Sequence, residues 1–539
     1  MYISRIIIKN YKKFEYLDVA LNEDVNVFVG DNDSGKTTIL EAIIMTLTGK
    51  INGSQIMSKI TADWFNLNVR NKYKASIDDE KPISPPNIEI ELYFNGLLDD
   101  DTKFKHYKGT NNSLRENCYG VKIDILFNKE YSETYKELLQ TKKIMEIPIE
   151  LYKVEYKTFA QPEYYIHHTA KKVILIDTTK KDYGNVLNKF VSNSLSMYLT
   201  EEDETKLSLT YRGNRTAFIK SDVLVKLNEK IKENQQIKGM NISLNLREGE
   251  IDDWKSEMTL SINDIPFENN GFGTQNMIKA ELIANDNTGV DFLILEEPEN
   301  NLSFANMSLL ISKLSNLTGK QLIISTHSSF VVNKLSLKKL QLVSNGTVKS
   351  FNELKIDTFN YFMKLPGYNT LRLLLANKII LVEGPADELI VQRAYFDYYN
   401  KLPIDDGIDV LSVGGLAFAR YCELASIIDK QIVVLTDNDG DYENVIKKYE
   451  EYSKILTLCV EKDNSLNTLE PSVLNANKEA FDVFKNIIYK GNNNNLDFDS
   501  LLSFMTNNKS EWAMRVFQSE KRIVYPHCVL KAIGVEKDE

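Results

Sequence analysis

The chain has 539 residues, 43% hydrophobic and 10% aromatic, which is more than one core normally organises and excludes a disordered protein. Its net charge of -11 argues against a sequence-independent nucleic-acid coat, which would be basic, but not against an enzyme that keeps basic patches beside an acidic metal centre. Four scattered cysteines (Cys118, Cys422, Cys459, Cys528) form no CxxC pair and five histidines show no ligand spacing, which argues against a disulfide frame or a zinc site.

The first residues, MYISRIIIKNYKKF, have no long apolar h-region, and no run reaches bilayer length. No signal peptide, no membrane contact and a cytoplasmic location are therefore expected. Next, ISRIIIKNYKKFEYLDVAL alternates apolar and polar residues in two strand-like runs and leads to a buried strand, VNVFV. GDNDSGKTTILEAIIMTLTG reads as a loop and then a helix ended by glycine. Residues 55–165 mix strands (NIEIELYF, YGVKIDILF, IPIELYKVEY) with polar turns, and KKVILID is another buried strand. Residues 180–235 turn helical and charged, and they read as an insertion because strand patterns resume in NISLNL and EMTLSIN. VDFLILEEPE and KQLIISTHS predict two more buried strands with a helix between them. A junction is expected within 335–376. Beyond it KIILVEG, GIDVLSVGG, KQIVVLTDNDGD and SKILTLCV predict four short strands of a smaller α/β unit. GNNNNLD at 491–497 reads as a flexible loop.

Gly30 to Thr37 fit GxxxxGK[ST] at every fixed position, after a buried strand and before a helix. The glycines let backbone N–H groups face a phosphate, and the helix start adds partial positive charge. Lys36 is expected to reach the β and γ phosphates of ATP and Thr37 to hold Mg²⁺, with Gly30, Asn32, Ser34, Gly35 and Thr38 completing the loop. In FLILEEPE, Glu296 would bind Mg²⁺ through water and Glu297 would polarise the attacking water, while His327 ends IISTHS where it can meet the γ-phosphate. Gly271, Gly273 and Gln275 in NNGFGTQN look like a degenerate form of the LSGGQ signature loop of ABC-type ATPases, which binds the γ-phosphate of ATP held by the opposite subunit. The plain alternatives are an ordinary helix N-terminus and a structural histidine.

In the second unit Glu383 ends one apolar strand, and Asp437 and Asp439 end another. Ends of parallel strands share an edge where ligands bind. Carboxylates converging there repel unless cations pair them, so hard oxygen ligands for Mg²⁺ or Mn²⁺ are expected, with Asp387 and Glu388 of the next helix able to join. The competing reading is two unrelated acidic turns.

Taken together these stretches resemble known families. The N-terminal pattern and the order of its motifs are similar to the ABC ATPases of the SMC and RecF group, and the E…DxD set resembles the Toprim domain. LEEPENNLSF, IISTHSSF, ILVEGPADE, VGG at 413–415 and TDNDGD are similar to the OLD (overcoming lysogenisation defect) family across nearly the whole chain, with the Gabija nuclease subunit and retron-associated OLD nucleases on the same plan. The resemblance implies an α/β protein: an ABC-type ATPase N-terminal lobe over 1–179, a helical dimerisation insert over 180–235, an ATPase C-terminal lobe over 236–365 and a Toprim nuclease domain over 366–539. It also implies Glu470 as a further metal-shell acid and Lys509 as a catalytic lysine. The implied activity is an ATP-binding, Mg²⁺- or Mn²⁺-dependent endonuclease that cleaves or nicks DNA, gated by nucleotide and serving anti-phage defence. A homodimer or higher homo-oligomer through the ATPase half, and an operon partner such as a helicase-like protein or a reverse transcriptase with its DNA product, belong to the same expectation. An RNA target such as transfer RNA, or a non-cleaving ATP-driven binding module, remain the alternatives. NNLSF stands where the family has a histidine-containing turn, and the signature loop is incomplete, which leaves open whether ATP is hydrolysed or only bound.

Overall fold

The computed structural model describes residues 1–51, 53–78, 83–97, 104–141, 146–160, 173–177, 198–234, 242–246, 253–284, 291–300, 302–315, 319–328, 331–332, 335, 337–364, 368–489 and 496–535. The chain divides into two compact units. Met1–Lys12, Asp18–Val25 and Thr37–Ser325 form one; Lys13–Leu17, Asn26–Lys36 and Thr326–Glu539 form the other. The phosphate-loop segment groups with the C-terminal part, where β2 (Val25–Val29) pairs in parallel with a late strand.

In the first unit, β1 (Tyr2–Tyr11), β3 (Ile88–Asn95), β4 (Cys118–Phe127) and β5 (Tyr152–Thr158) pair antiparallel in that order. The alternation expected for β1 does not carry through to its burial: Ile6, Ile7 and Ile8 are all fully inside, as is Ile3. Helix α1 (Lys36–Thr48) ends where Gly49 turns left-handed, at φ 67, with its N–H on the Met45 carbonyl. Strands β6 (Val173–Asp177), β7 (Phe292–Glu296) and β8 (Gln321–Thr326) pair in parallel; in β6, expected to be buried, Ile174 is buried while Val173 and Leu175 are half-buried. Buried Gln321 ties them to β1: its oxygen accepts the Ile3 N–H at 2.8 Å, and its amide donates to Ile3 O at 2.8 Å and Asn22 O at 2.7 Å.

Within 180–235, the stretch read as an insert, stand α2 (Glu201–Ile219) and α3 (Asp222–Asn234); residues 180–197 and 235 lie outside the described residues. Among the described residues, the strands expected in NISLNL and EMTLSIN reduce to one two-residue strand, Ser261–Ile262, paired with Ile265–Pro266. Residues 242–246 carry no strand pairing, and Leu244 is 50% exposed. Alternation alone does not hold a strand when no covered face receives its apolar side chains. Helix α4 (Phe272–Ala284) follows.

In the second unit, β9 (Leu340–Ser344) joins β2 on one side and β10 (Thr347–Ser350) on the other. These strands fall inside the stretch expected to be a mixed junction. The four later strands are as expected: β11 (Lys378–Val382), β12 (Ile408–Ser412), β13 (Ile432–Leu435) and β14 (Leu456–Cys459), all parallel, in the order β12-β11-β13-β14. Helices on this sheet bury a core that includes Val382, Leu435, Val473, Leu501 and Trp512. Parallel strands covered this way read as continuous apolar runs, which is why KIILV and IVVL carry no alternation. The order also places β11 and β13 side by side, so their C-terminal residues meet. The expected loop 491–497 lies mostly outside the described residues.

Candidate functional site

The acids at the carboxyl edge of the β12-β11-β13-β14 sheet are placed by local chemistry. Glu383 directly follows β11. Helix α5 (Pro385–Tyr399) begins with proline in its first turn, and the Asp387 side chain accepts the Gly384 N–H at 2.7 Å. Asp437 comes two residues after β13, and its N–H donates to Glu383 Oε1 at 3.1 Å; the Thr436 hydroxyl donates to the same oxygen at 2.6 Å. Glu470 lies in the first turn of α6 (Leu469–Ala476) and is 1% exposed; the Thr468 hydroxyl donates to its Oε2 at 2.9 Å. Lys509, first residue of α7 (Lys509–Gln518), places Nζ 3.2 Å from Glu470 Oε1 and 3.3 Å from Oε2. Thirty-nine residues of chain separate that pair.

These groups sense one another. Burial, then the negative charges of Glu383, Asp387 and Glu470, push Asp437 up to about 8, against the pull of Lys509. Asp387 is pushed up to about 6, first by burial and then by Glu383 and Glu470, although the Gly384 N–H opposes this. Lys509 is itself raised by Glu470, Asp437 and Asp387, after its own desolvation. A small pocket lined by Glu383, Asp387, Thr436, Asp437, Glu461 and Thr468 opens on the cluster.

Two expected members stand elsewhere. Asp439 is exposed, with left-handed backbone at φ 50 and its N–H on Asn467 O at 3.3 Å. Glu388 accepts the Gln392 amide at 3.2 Å and senses Arg372 and Asp409 rather than the cluster. The DNDGD turn is held by buried Asn438, whose amide donates to Glu461 O at 2.8 Å and Asp463 O at 3.0 Å. Asp441 caps the next helix through the Asn444 N–H. Sequence reasoning passed over Thr436, Thr468, Asn438 and Glu461; the signal was adjacency, since each threonine lies within two residues of a cluster acid. Among the described residues, no three acid, histidine or cysteine groups already stand in metal-holding geometry. The donor chemistry nonetheless fits a hard divalent cation, because the lining offers carboxylate and hydroxyl oxygens, and burial and mutual repulsion of its acids outweigh the pull of Lys509.

The phosphate loop is shaped by its glycines. A Cβ at Gly30 would stand 2.3 Å from the Val343 carbonyl oxygen. One at Gly35, where φ is +113, would stand 2.7 Å from the Phe14 ring. Asp33 is left-handed at φ 63, and Ser34 N–H closes the turn on Asp31 O at 3.1 Å. Buried Lys36 donates to Gly30 O and Asp31 O, both at 2.8 Å. Ser34 Oγ is buried with no hydrogen-bond partner among the described residues, an orphan hydroxyl inside a loop built for an anion. Asn32 is exposed and Thr38 buried.

In the first unit, the Thr37 hydroxyl donates to Glu296 Oε1 at 2.5 Å, so the two expected Mg²⁺ holders already touch. Glu297 follows β7 with left-handed backbone, φ 46, its N–H on Ser325 O at 2.9 Å and its Oε2 accepting the Asn300 amide at 2.7 Å. His327 directly follows β8 and is half-buried. In the expected signature loop, Gly271 is exposed and Gly273 lies in the first turn of α4, but Gln275 is buried and donates to Asn270 O at 2.7 Å and Glu268 O at 3.4 Å. Its amide braces its own loop.

A phosphate loop entering a helix, and a parallel sheet that gathers acids at its carboxyl edge, define a nucleotide-binding ATPase joined to a carboxylate-centred α/β domain. Residues 1–332 match the family described as AAA ATPase domain, well over half of the chain, and the chain belongs to that family. Residues 374–439 match the Overcoming lysogenization defect protein-like TOPRIM domain, and the two together make this an OLD-family ATPase–Toprim protein. The DNA replication and repair protein RecF of Clostridium beijerinckii is 25% identical over 264 residues, 44% of this chain and 68% of that protein. RecF of Clostridium kluyveri is 26% identical over 196 residues, 35% of this chain and 50% of that protein. The chain thus spans about two thirds of the first relative and half of the second. Among solved structures, an Smc head domain from Pyrococcus furiosus shares 12% identity at a TM-score of 0.35, covering 64% of this chain and 95% of that one. The recombination mediator protein RecF-ATP shares 13% at 0.32, covering 65% and 99%.

Proposed function

We propose that this protein is a divalent-metal-dependent endonuclease that cleaves or nicks DNA, that nucleotide at the phosphate loop gates the Toprim site, and that it serves defence against bacteriophage. The observation that carries the nuclease reading is the convergence of Glu383, Asp387, Asp437 and Glu470, with Lys509, at one sheet edge. Mg²⁺ or Mn²⁺ held by these four acids would supply Lewis acidity and lower the pKa of bound water at a scissile phosphate. Lys509, half-exposed and anchored on Glu470, is set to offset negative charge growing on the phosphate oxygens. Asp437 would give up its proton to hold such a cation, with Glu383 kept oriented by Thr436.

On the ATPase side, the backbone N–H groups of Gly30–Lys36 would cradle the phosphates, with Lys36 moving from its loop carbonyls to a phosphate oxygen. Thr37 and Glu296 would hold the accompanying Mg²⁺, and Glu297 and His327 are the candidates for orienting water and reading the γ-phosphate. DNA is favoured over RNA because the curated relatives are named as DNA replication and repair proteins. A second copy of the chain is supported by apolar side chains turned outward on α2 and α3: Leu209, Phe218 and Val223 are 62%, 59% and 77% exposed.

Supercoiled plasmid incubated with protein and Mg²⁺ or Mn²⁺ should be nicked, and Glu383→Ala and Asp437→Ala proteins should leave it intact. Cleavage by both variants at the wild-type rate would defeat the reading.

A further inference from the structure

We infer that Thr436 is a positioning residue for the metal centre: with Gly415 it clamps the Glu383 carboxylate so that one oxygen is spent on the protein and the other is presented to the cation. This rests on the metal-centre reading above and adds to it the residue that orients the donor.

Glu383 is held from three sides. Its backbone carbonyl accepts the Gly414 N–H at 3.0 Å and the Ser412 hydroxyl at 3.3 Å, which fixes the strand end. Its Oε1 receives both the Thr436 hydroxyl at 2.6 Å and the Asp437 N–H at 3.1 Å. Its carboxylate lies flat against Gly415, where an added Cβ would stand 3.1 Å from Oε2, 3.2 Å from Cδ and 3.3 Å from Oε1. Among the described residues Oε2 accepts no hydrogen bond. The shorter of the two bonds comes from the Thr436 hydroxyl, which belongs to the segment that carries Asp437. Adjacent strands β11 and β13 are thereby geared: the residue pair that supplies one donor locks the other. The same device recurs across the pocket, where the Thr468 hydroxyl donates to Glu470 Oε2 two residues away. A glutamate has three rotatable bonds, and fixing them during folding removes that entropy cost from metal binding.

The experiment measures Mn²⁺ affinity from the electron paramagnetic resonance signal of free Mn²⁺, on the full chain without DNA or nucleotide. Thr436→Val removes the hydroxyl at equal volume and should weaken Mn²⁺ binding about 10- to 100-fold, the range for loss of a group that orients a ligand. Thr436→Ser keeps the hydroxyl and should stay within about threefold of wild type. Gly415→Ala leaves Thr436 in place but pushes the carboxylate, and should weaken binding as well. Equal thermal midpoints for Thr436→Val and Thr436→Ser separate an effect on orientation from one on folding. Wild-type affinity in Thr436→Val overturns the inference alone, and so does equal weakening by Thr436→Ser. Absence of Mn²⁺ binding by the wild type overturns the metal reading together with it.

Discussion

Asp437→Asn should stabilise the protein while abolishing its proposed cleavage. In the folded chain Asp437 sits at about 8, raised first by burial and then by Glu383, Asp387 and Glu470; in the unfolded chain it returns to the ordinary range near 4. A carboxyl group whose folded pKa is the higher one keeps a proton that the unfolded chain has released. Between about pH 4 and 8 stability therefore falls as pH rises, by up to about 1.4 kcal/mol per pH unit. At pH 7 this amounts to a ceiling of about 4 kcal/mol, reduced by whatever the turn around Asn438 relaxes. Asparagine keeps the shape and removes the charge. In EDTA, denaturant melts read by Trp512, which is fully buried in the core beneath the site, should show the wild type losing stability from pH 5 to 8 and Asp437→Asn changing far less. Trp64→Phe and Trp254→Phe would leave Trp512 as the reporter. Mg²⁺ should stabilise the wild type more at pH 8 than at pH 5, and Asp437→Asn at neither. A wild-type profile that is flat over this range, or Asp437→Asn no more stable than wild type at pH 8, refutes the electrostatic account of the site.

Gly35→Ala should destroy nucleotide binding, measured with a fluorescent ATP analogue, because left-handed backbone at φ +113 and the Phe14 ring both reject a side chain; the accompanying strain should be about 1–3 kcal/mol. Lys509→Ala leaves Glu470 buried without its cation and should lower the melting midpoint by the equivalent of about 1–2 kcal/mol. Adding Glu470→Gln should restore most of that stability but no cleavage. An additive double variant would show that the pair is not coupled.

Much of this architecture was legible in advance, and the particular residues show why. Phosphate-loop chemistry is contiguous: eight neighbouring residues carry the two glycines, the lysine and the threonine. The four apolar runs of the second unit named its strands because a doubly covered parallel strand has no polar face. Glu383 and Asp437 were visible as acids placed just past such runs. Elsewhere the same kind of reading misled. Asp437 and Asp439 look equivalent in TDNDGD, yet the turn pinned by Asn438 sends one inward and the other to solvent. Glu388, one residue from Asp387, answers to Arg372 and Asp409 because adjacent helical residues point in different directions. NISLNL alternates like a strand but has no covered face, and Gln275 turns inward to brace its own loop.

What the sequence by itself determined is what neighbours within a few residues decide: the loop that suits phosphate, the helix cap at Gly384, the apolar runs and the acids that end two of them. Only the tertiary structure joined Glu470 to Lys509, set Thr436 on Glu383, and raised Asp437 and Asp387. The reason is that hydrogen bonding in turns and caps acts along the chain, whereas burial and the Coulomb field act through space, from groups that the sheet order and packed helices bring together.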